Sequence, residues 1–486
     1  MDSIIPPLLK KGDYIYGSFV KSAQSSGFIN DGNPGDRSDQ IGRFPFSLQN
    51  TKEAISYANE AQVEWRTSTI QQRLHAVSNF HKELSERSKY LSNVILREIG
   101  VPLWEARQEI TDTKNLVEDL ISSASRLFST KDSCGLKSTY YPIGTLAMLT
   151  PFSQPLLLPS LFSCASILTG NSVVHKPSKY TPGVGQAIAE LWDRCKLPRG
   201  LYNMVQGPGS HIGQYILSHP KIQGTIFAGS YTTAEDIHRK NNIPPHHPFI
   251  AFLGGKSSAI VVEDSNLDNT VRELLAGAYR YTGQRPTAIA RVFVSRAIST
   301  RLTDTLAKSL DQIPVGYGQE QSTYLGPMVS EHWRTRYHRY GHSLYSNGHI
   351  PIRQTENLEN NRRGYYVKPA LYKVNWSNGS PMLNDEPPGP ILLIYEVDDI
   401  QEAIALHNQT QFRRMTSLFC DQNRPDLNEI LAQIHTGAVF INKAPKETAA
   451  PIGAQGLSAN VSASGTDLLL QLLRQQVCFH PPENEN

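Results

Sequence analysis

Nucleophilic chemistry needs a thiol or an activated hydroxyl, and the chain carries five cysteines: Cys134, Cys164, Cys195, Cys420 and Cys478. None forms a Cys-x-x-Cys pair and their spacing makes no even framework. They read as reduced, mostly buried thiols of a cytoplasmic protein. A second candidate is Gly254-Gly-Lys-Ser, half of a loop whose backbone N–H groups and lysine cradle phosphates. The full motif needs glycine where Ile250 stands, so this reading fails. A third is His246-His247, set between prolines with no further ligand at metal spacing. It reads as a solvated turn, and no metal site is expected.

Around these residues the elements fall into three zones. From about Asn50 to Phe128 the apolar spacing is helical, with helices over Thr51–Ala61, Ile70–Ser85 and Trp104–Ser125. The turn-like Lys131-Asp-Ser-Cys-Gly-Leu-Lys follows, and Ser138-Thr-Tyr-Tyr-Pro reads as a short exposed strand. An α/β alternation comes next. Strands are expected at Gly144–Leu149, Ser172–His175, Leu201–Val205 and Gly224–Ala228, with helices through Ala165 and over Val184–Cys195 and His211–Ser218. Such repeated units predict a parallel sheet with helices on both faces. A second alternation starts at Ile250, with strands at Ser258–Val262 and Val292–Val294 and helices over Asn269–Tyr281 and Ala297–Leu310. The Leu-rich tail Asp467–Phe479 ends in an edge strand.

Composition sets the outer bounds. The 486 residues suit two or three domains, and 39% hydrophobic with 19% charged residues marks an ordinary globular chain. A formal charge of +3 gives no reason to propose nucleic acid as a partner. The apolar stretch Leu146–Gly170 is broken by Pro151, Pro155 and Pro159, so it reads as a buried strand and helix rather than a membrane span. The start lacks the basic and apolar regions of a secretory signal, and the sequons at Asn375 and Asn378 mean little without secretion.

Eight segments, in order across roughly residues 50–460, resemble motifs of the aldehyde dehydrogenases. Leu149-Thr-Pro-Phe-Ser-Gln-Pro is similar to their Gly-Pro-Tyr-Asn-Phe-Pro turn, and Gly170-Asn-Ser-Val-Val-His-Lys-Pro-Ser-Lys to Gly-Asn-Thr-Val-Val-Phe-Lys-Pro-Ser-Glu. Leu197-Pro-Arg-Gly-Leu-Tyr-Asn-Met-Val-Gln-Gly, Phe227-Ala-Gly-Ser and Leu253-Gly-Gly-Lys follow in the family's order. Gly283-Gln-Arg-Pro falls where the family has Gly-Gln-Arg-Cys, and Asp385-Glu-Pro-Pro-Gly-Pro where it has Glu-Glu-Ile-Phe-Gly-Pro. The last is Pro451-Ile-Gly-Ala-Gln-Gly-Leu-Ser-Ala-Asn, and with Ile99-Gly-Val-Pro-Leu-Trp-Glu-Ala the chain looks closest to the succinylglutamate-semialdehyde dehydrogenase branch.

The resemblance implies an α/β fold with three parts. These are a Rossmann-type dinucleotide domain (1–128 and 143–249), a catalytic-type α/β domain (250–460), and a small oligomerisation hairpin and tail (129–142 and 461–486). It also implies a chemistry: a cysteine thiolate adds to an aldehyde, hydride leaves to nicotinamide, and a glutamate-activated water hydrolyses the thioester. This chain departs from that pattern at three positions. Pro286 stands at the nucleophile's place and has neither thiol nor N–H; Phe252 stands at the base's place; Ser153 replaces the asparagine that holds the oxyanion. Thr282, Thr287 and Ser257 lie nearby, but no acid or histidine close in sequence activates them, and they read as ordinary turn and strand hydroxyls.

For the cofactor the resemblance assigns Lys176 to the adenosine ribose, Ser230 to the pyrophosphate at a helix N-terminus, and Glu386 to the nicotinamide ribose. The family's ribose-binding glutamate has become Lys179, which suits a 2′-phosphate better than a hydroxyl. Ala234 replaces a glycine and is expected to crowd the pyrophosphate, and Pro388 replaces a packing phenylalanine. NADP, NAD or no cofactor are the three alternatives. The leading expectation is a silent homologue with a structural, regulatory or partner-binding role. A working semialdehyde oxidoreductase and an NADP-binding sensor are the others. The apolar tail, expected to pair across a two-fold axis, implies a dimer or larger, with a protein partner possible and neither nucleic acid nor membrane involved.

Overall fold

The computed structural model describes residues 10–21, 25–128, 136–241, 243–244, 246–255, 257–359, 362–374, 384–447, 455–458 and 465–479. Four short strands come first: β1 (Asp13–Ile15), β2 (Ser18–Val20), β3 (Gly27–Asp31) and β4 (Gly42–Phe46). The sequence reading passed over them, because strands this short carry too few residues for a period of two. Four helices follow: α1 (Leu48–Trp65), α2 (Ile70–Glu86), α3 (Ser88–Ile99) and α4 (Leu103–Leu127). Ser47 caps α1 and a Thr69–Gln72 capping box opens α2, which is why both start where they do.

β5 (Leu136–Pro142) then leads into the first alternation: β6 (Thr145–Leu149), α5 (Leu157–Leu168), β7 (Ser172–Lys176), α6 (Pro182–Arg194) and β8 (Tyr202–Met204). The helix expected over His211–Ser218 is a π-type turn at Gly209–Gly213 running into the short α7 (Gln214–Leu217). β9 (Gly224–Gly229), α8 (Tyr231–Asn241) and β10 (Phe249–Leu253) complete this half. The strands form a seven-stranded sheet in the order β10-β9-β6-β7-β8-β1-β2. β10 pairs in parallel with β9, so this sheet runs past residue 249 as far as Leu253. β6 is buried throughout and so is α5, which accounts for the apolar stretch; no helix among the described residues is long and apolar enough to cross a membrane.

The second half holds β11 (Ser257–Val261), α9 (Leu267–Tyr279), β12 (Ile289–Ser295), α10 (Arg296–Asp311), α11 (Glu331–Ser346), β13 (Ile350–Arg353), β14 (Ala370–Lys373) and β15 (Ile391–Val397). It continues with α12 (Ile400–Gln409), β16 (Phe412–Arg413), β17 (Met415–Phe419), α13 (Leu427–Gln433), β18 (Ala438–Ile441) and β19 (Gln455–Gly456). Its seven-stranded sheet has the order β13-β14-β15-β12-β11-β17-β18. Alternate residues of β12 serve opposite faces: Val292 and Val294 enter one core, Phe293 the other.

The tail forms α14 (Gly465–Gln471) and β20 (Leu473–Phe479). β20 pairs antiparallel with β5 of its own chain, Leu473 opposite Pro142 and Phe479 opposite Leu136. The strand expected to pair across a two-fold axis thus finds its first partner within the chain. The sequons, the Lys131–Cys134 turn and most of the Pro451–Asn460 motif lie outside the described residues.

Candidate active site

In the first sheet the chain leaves β6 toward β7 and β8 on one side, then returns to β9 and β10 on the other. A parallel sheet opens a crevice at such a reversal, beyond the carboxyl ends of its strands. A cleft of about 1170 Å³ lies there. Its far wall is made by segments that lead into strands of the second sheet: Gly283–Pro286 ahead of β12 and Asn384–Gly389 ahead of β15.

The three positions that depart from the family's chemistry (Ser153, Phe252, Pro286) and the four assigned to the cofactor (Lys176, Lys179, Ser230, Glu386) all line this one cleft. Ser153 stands in the turn after β6, Lys176 ends β7, Lys179 follows it, and Ser230 separates β9 from α8. Phe252 is near the end of β10, Pro286 precedes β12, and Glu386 precedes β15.

One end of the cleft is built from a helix N-terminus and two lysines. The Ser230 hydroxyl accepts from the Thr233 N–H at 3.2 Å, capping α8 and leaving that helix's first turn at the cleft. Ala234 is buried, and Ser230, Thr232 and Thr233 line the cleft. Lys176 Nζ donates to the carbonyls of Pro177 (2.7 Å) and Gly207 (3.4 Å). Burial, and then the charge of Lys179, push its ammonium down to about 8. An anion bound beside it would oppose both effects by favouring the charged ammonium.

The chemical end is different. Phe252 is buried against Phe162, ring centroids 5.7 Å apart, and the Arg414 guanidinium lies over its ring at 3.6 Å. Arg414 pairs with Glu447 at 2.9 Å, and burial lowers its pKa against that partner's pull. Sequence reading missed Arg414. The available signal was an arginine pair, Arg413-Arg414, at the junction of β16 and β17. Glu386 packs so close to Gly254 that a methyl group there would sit 2.7 Å from its Oε1. Asp385 beside it is raised by burial, with Arg291 opposing.

The loop before Pro286 is held in an unusual winding by α4. α9 ends at Tyr279, two positions short of the expected Tyr281, because Tyr281 (φ 56°) and Thr282 (φ 54°) are both left-handed. Each such non-glycine residue costs on the order of 1–3 kcal/mol, and the surroundings must hold it. Glu105 does so by accepting from the Tyr281 N–H at 3.0 Å and from Arg280 Nε at 2.9 Å. Glu109, pushed up to about 7 by burial, accepts from the Tyr281 hydroxyl at 3.0 Å. The Thr282 hydroxyl donates to the Gly326 carbonyl at 3.0 Å, which leaves it no activating base.

The third wall was not foreseen. Trp333, Arg336, Arg339 and Tyr340 of α11 line the cleft, with Phe152 against Trp333 at 5.5 Å. No cysteine or histidine lines the cleft among the described residues. Cys164, Cys195 and Cys420 are buried elsewhere, and burial raises each thiol's pKa. His246 and His247 form a turn in which His247 Nε2 meets Thr225 Oγ1 at 3.0 Å.

A doubly wound sheet facing a second α/β sheet across such a cleft defines a class, and residues 19–477 match the aldehyde dehydrogenase family. The chain belongs to that family. It is 30% identical over 417 residues to an N-succinylglutamate 5-semialdehyde dehydrogenase of Novosphingobium aromaticivorans, covering 84% of this chain and 87% of that one. It is 28% identical over 460 residues to an alpha-ketoglutaric semialdehyde dehydrogenase of Bacillus subtilis, covering 93% of each. The fold matches a betaine aldehyde dehydrogenase of Staphylococcus aureus in complex with NAD+, with TM-score 0.90, 23% identity and 98% and 97% coverage.

Proposed function

We propose that this chain is an aldehyde dehydrogenase-family protein without aldehyde-oxidising chemistry, which binds a dinucleotide and acts as a regulatory or partner-binding module. The observation that carries the reading is the lining of the cleft: Pro286 where a thiol is needed, Phe252 where a base is needed, and no cysteine or histidine among the other described lining residues. A proline supplies neither nucleophile nor backbone N–H for an oxyanion, and each lost oxyanion donor costs on the order of 10²–10³ in rate.

The same cleft supports retained dinucleotide binding. Its residues fit the cofactor: a capped helix N-terminus at Ser230, two ammonium groups at Lys176 and Lys179, and a carboxylate at Glu386. When bound, a nicotinamide dinucleotide would supply a hydride acceptor, for which this chain offers no covalent partner. The paired lysines favour NADP over NAD. We assign residues 1–128 and 143–253 to the dinucleotide-binding domain, extended past 249 because β10 belongs to its sheet, and 254–460 to the catalytic-type domain. The β5–β20 ribbon is assigned to homo-oligomer assembly, and the protein to the cytoplasm.

A thermal shift with NADP tests this reading: ligand held at 100 times its dissociation constant adds about 2.7 kcal/mol of stability. A clear shift without turnover on a panel of amino-acid-derived semialdehydes is the expected result. Appreciable turnover would instead support the oxidoreductase reading, which the semialdehyde-oxidising relatives favour.

A further inference from the structure

We infer that Glu109 is a positioning residue that ties the two walls of the cleft together through Tyr281. One wall is the turn bearing Ser153, which ends at the start of α5. The other is the loop bearing Pro286. No side chain caps α5 from its own sequence, since Leu156 stands at the cap position. Glu109 supplies the acceptor from a different helix: its Oε1 takes the N–H groups of Leu156 at 2.8 Å and Leu157 at 3.0 Å. Its Oε2 takes the Tyr281 hydroxyl at 3.0 Å.

One fully buried carboxylate is therefore hydrogen-bonded to both walls at once, and its rotation is fixed by three donors. Tyr281 reaches it because its backbone is left-handed, and Glu105, one helical turn earlier on α4, holds that backbone. Loosening the Tyr281–Glu109 bond frees the Pro286 loop to move against the Ser153 turn. Two walls that must close on the same ligand then lose their fixed separation. The geometry stands alone; its consequence for affinity rests on the dinucleotide reading above.

The test uses the full chain with Tyr281→Phe, Glu109→Gln and Glu109→Leu, read by amide hydrogen exchange and by calorimetric titration with NADP. Tyr281→Phe removes only the hydroxyl and leaves Glu109 on α5. Faster exchange in both the 150–157 and 280–288 segments is expected, with roughly tenfold weaker NADP binding, the scale of one hydrogen bond, and little change in melting temperature. Glu109→Leu also strips the Leu156 and Leu157 N–H groups of their acceptor, so it should quicken exchange in both segments and lower the melting temperature as well. By contrast, Glu109→Gln keeps an acceptor for α5 and a partner for Tyr281 and should restore wild-type exchange. If Tyr281→Phe quickens exchange only around 280–288 and leaves 150–157 at the wild-type rate, the tie does not exist. That exchange result decides the matter even if the wild-type chain binds no NADP, an outcome that would overturn the cofactor reading alone.

Discussion

The guanidinium of Arg414 lies 3.6 Å from the ring centroid of Phe252, whose ring lines the cleft while Arg414 does not. A cation at this depth is stabilised by the aromatic face and by Glu447. The position where the family's base is expected is thus built around a buried charge. A carboxylate placed there would bond to the guanidinium rather than wait for a proton.

The first prediction follows. Restoring Pro286→Cys, Phe252→Glu and Ser153→Asn together should leave semialdehyde oxidation at background, because the carboxylate introduced at position 252 would pair with Arg414 and lose basicity. Adding Arg414→Leu should raise the rate per folded molecule by tenfold or more, on the scale of roughly 10²–10⁴ that a positioned general base contributes. Equal rates with and without that fourth change would contradict this account of Phe252.

Removing Arg414 from the otherwise native chain should be costly. Arg414→Leu leaves Glu447 buried and unpaired, so a loss of about 3–5 kcal/mol is expected in denaturant unfolding. Changing Arg414 and Glu447 together to methionine should recover most of it. A single mutant as stable as the wild type would show that the pair is not closed in solution.

Cofactor choice should turn on Lys179. The wild-type chain is expected to bind NADP more tightly than NAD in a calorimetric titration, and Lys179→Glu should reverse that order by replacing an ammonium with a ribose-hydroxyl acceptor. Equal affinities in the wild type would remove the charge argument.

Acid stability should depend on His175, buried between Thr150 and Tyr202, with ring nitrogens 2.9 and 2.8 Å from their hydroxyls. Burial, and then Lys176, push it down to about 3. The unfolded chain takes up the proton near pH 6.5, so the stability from a neutral His175 is complete above that value and lost as pH falls toward 3. Nuclear magnetic resonance of the His175 ring should show no titration between pH 5 and 8. A midpoint near 6.5 would mean that the ring is solvated.

Apolar periodicity and turn residues place β6, β7 and β9 and the helices α5 and α6 to within a few positions, and the order of motifs supplied the family resemblance. The seven cleft residues were legible only through the family's motifs, and the fold explains why they meet. Strand ends in a doubly wound sheet converge on one crevice, so residues far apart in sequence meet there. What stayed hidden depends on long-range partners. The left-handed pair Tyr281–Thr282 is imposed by Glu105 and Glu109 from α4, and nothing in the local sequence announces it. Arg414 and the α11 wall were missed because a buried arginine and a polar helix face look like surface until tertiary packing is known.

The most direct measurement follows the absorbance of reduced nicotinamide when the purified wild-type chain is given NADP or NAD with amino-acid-derived semialdehydes. With no thiol at position 286 and no base at position 252, the reading predicts no formation above the protein-free control. Sustained formation at an enzymatic rate, abolished by thiol alkylation, would contradict it.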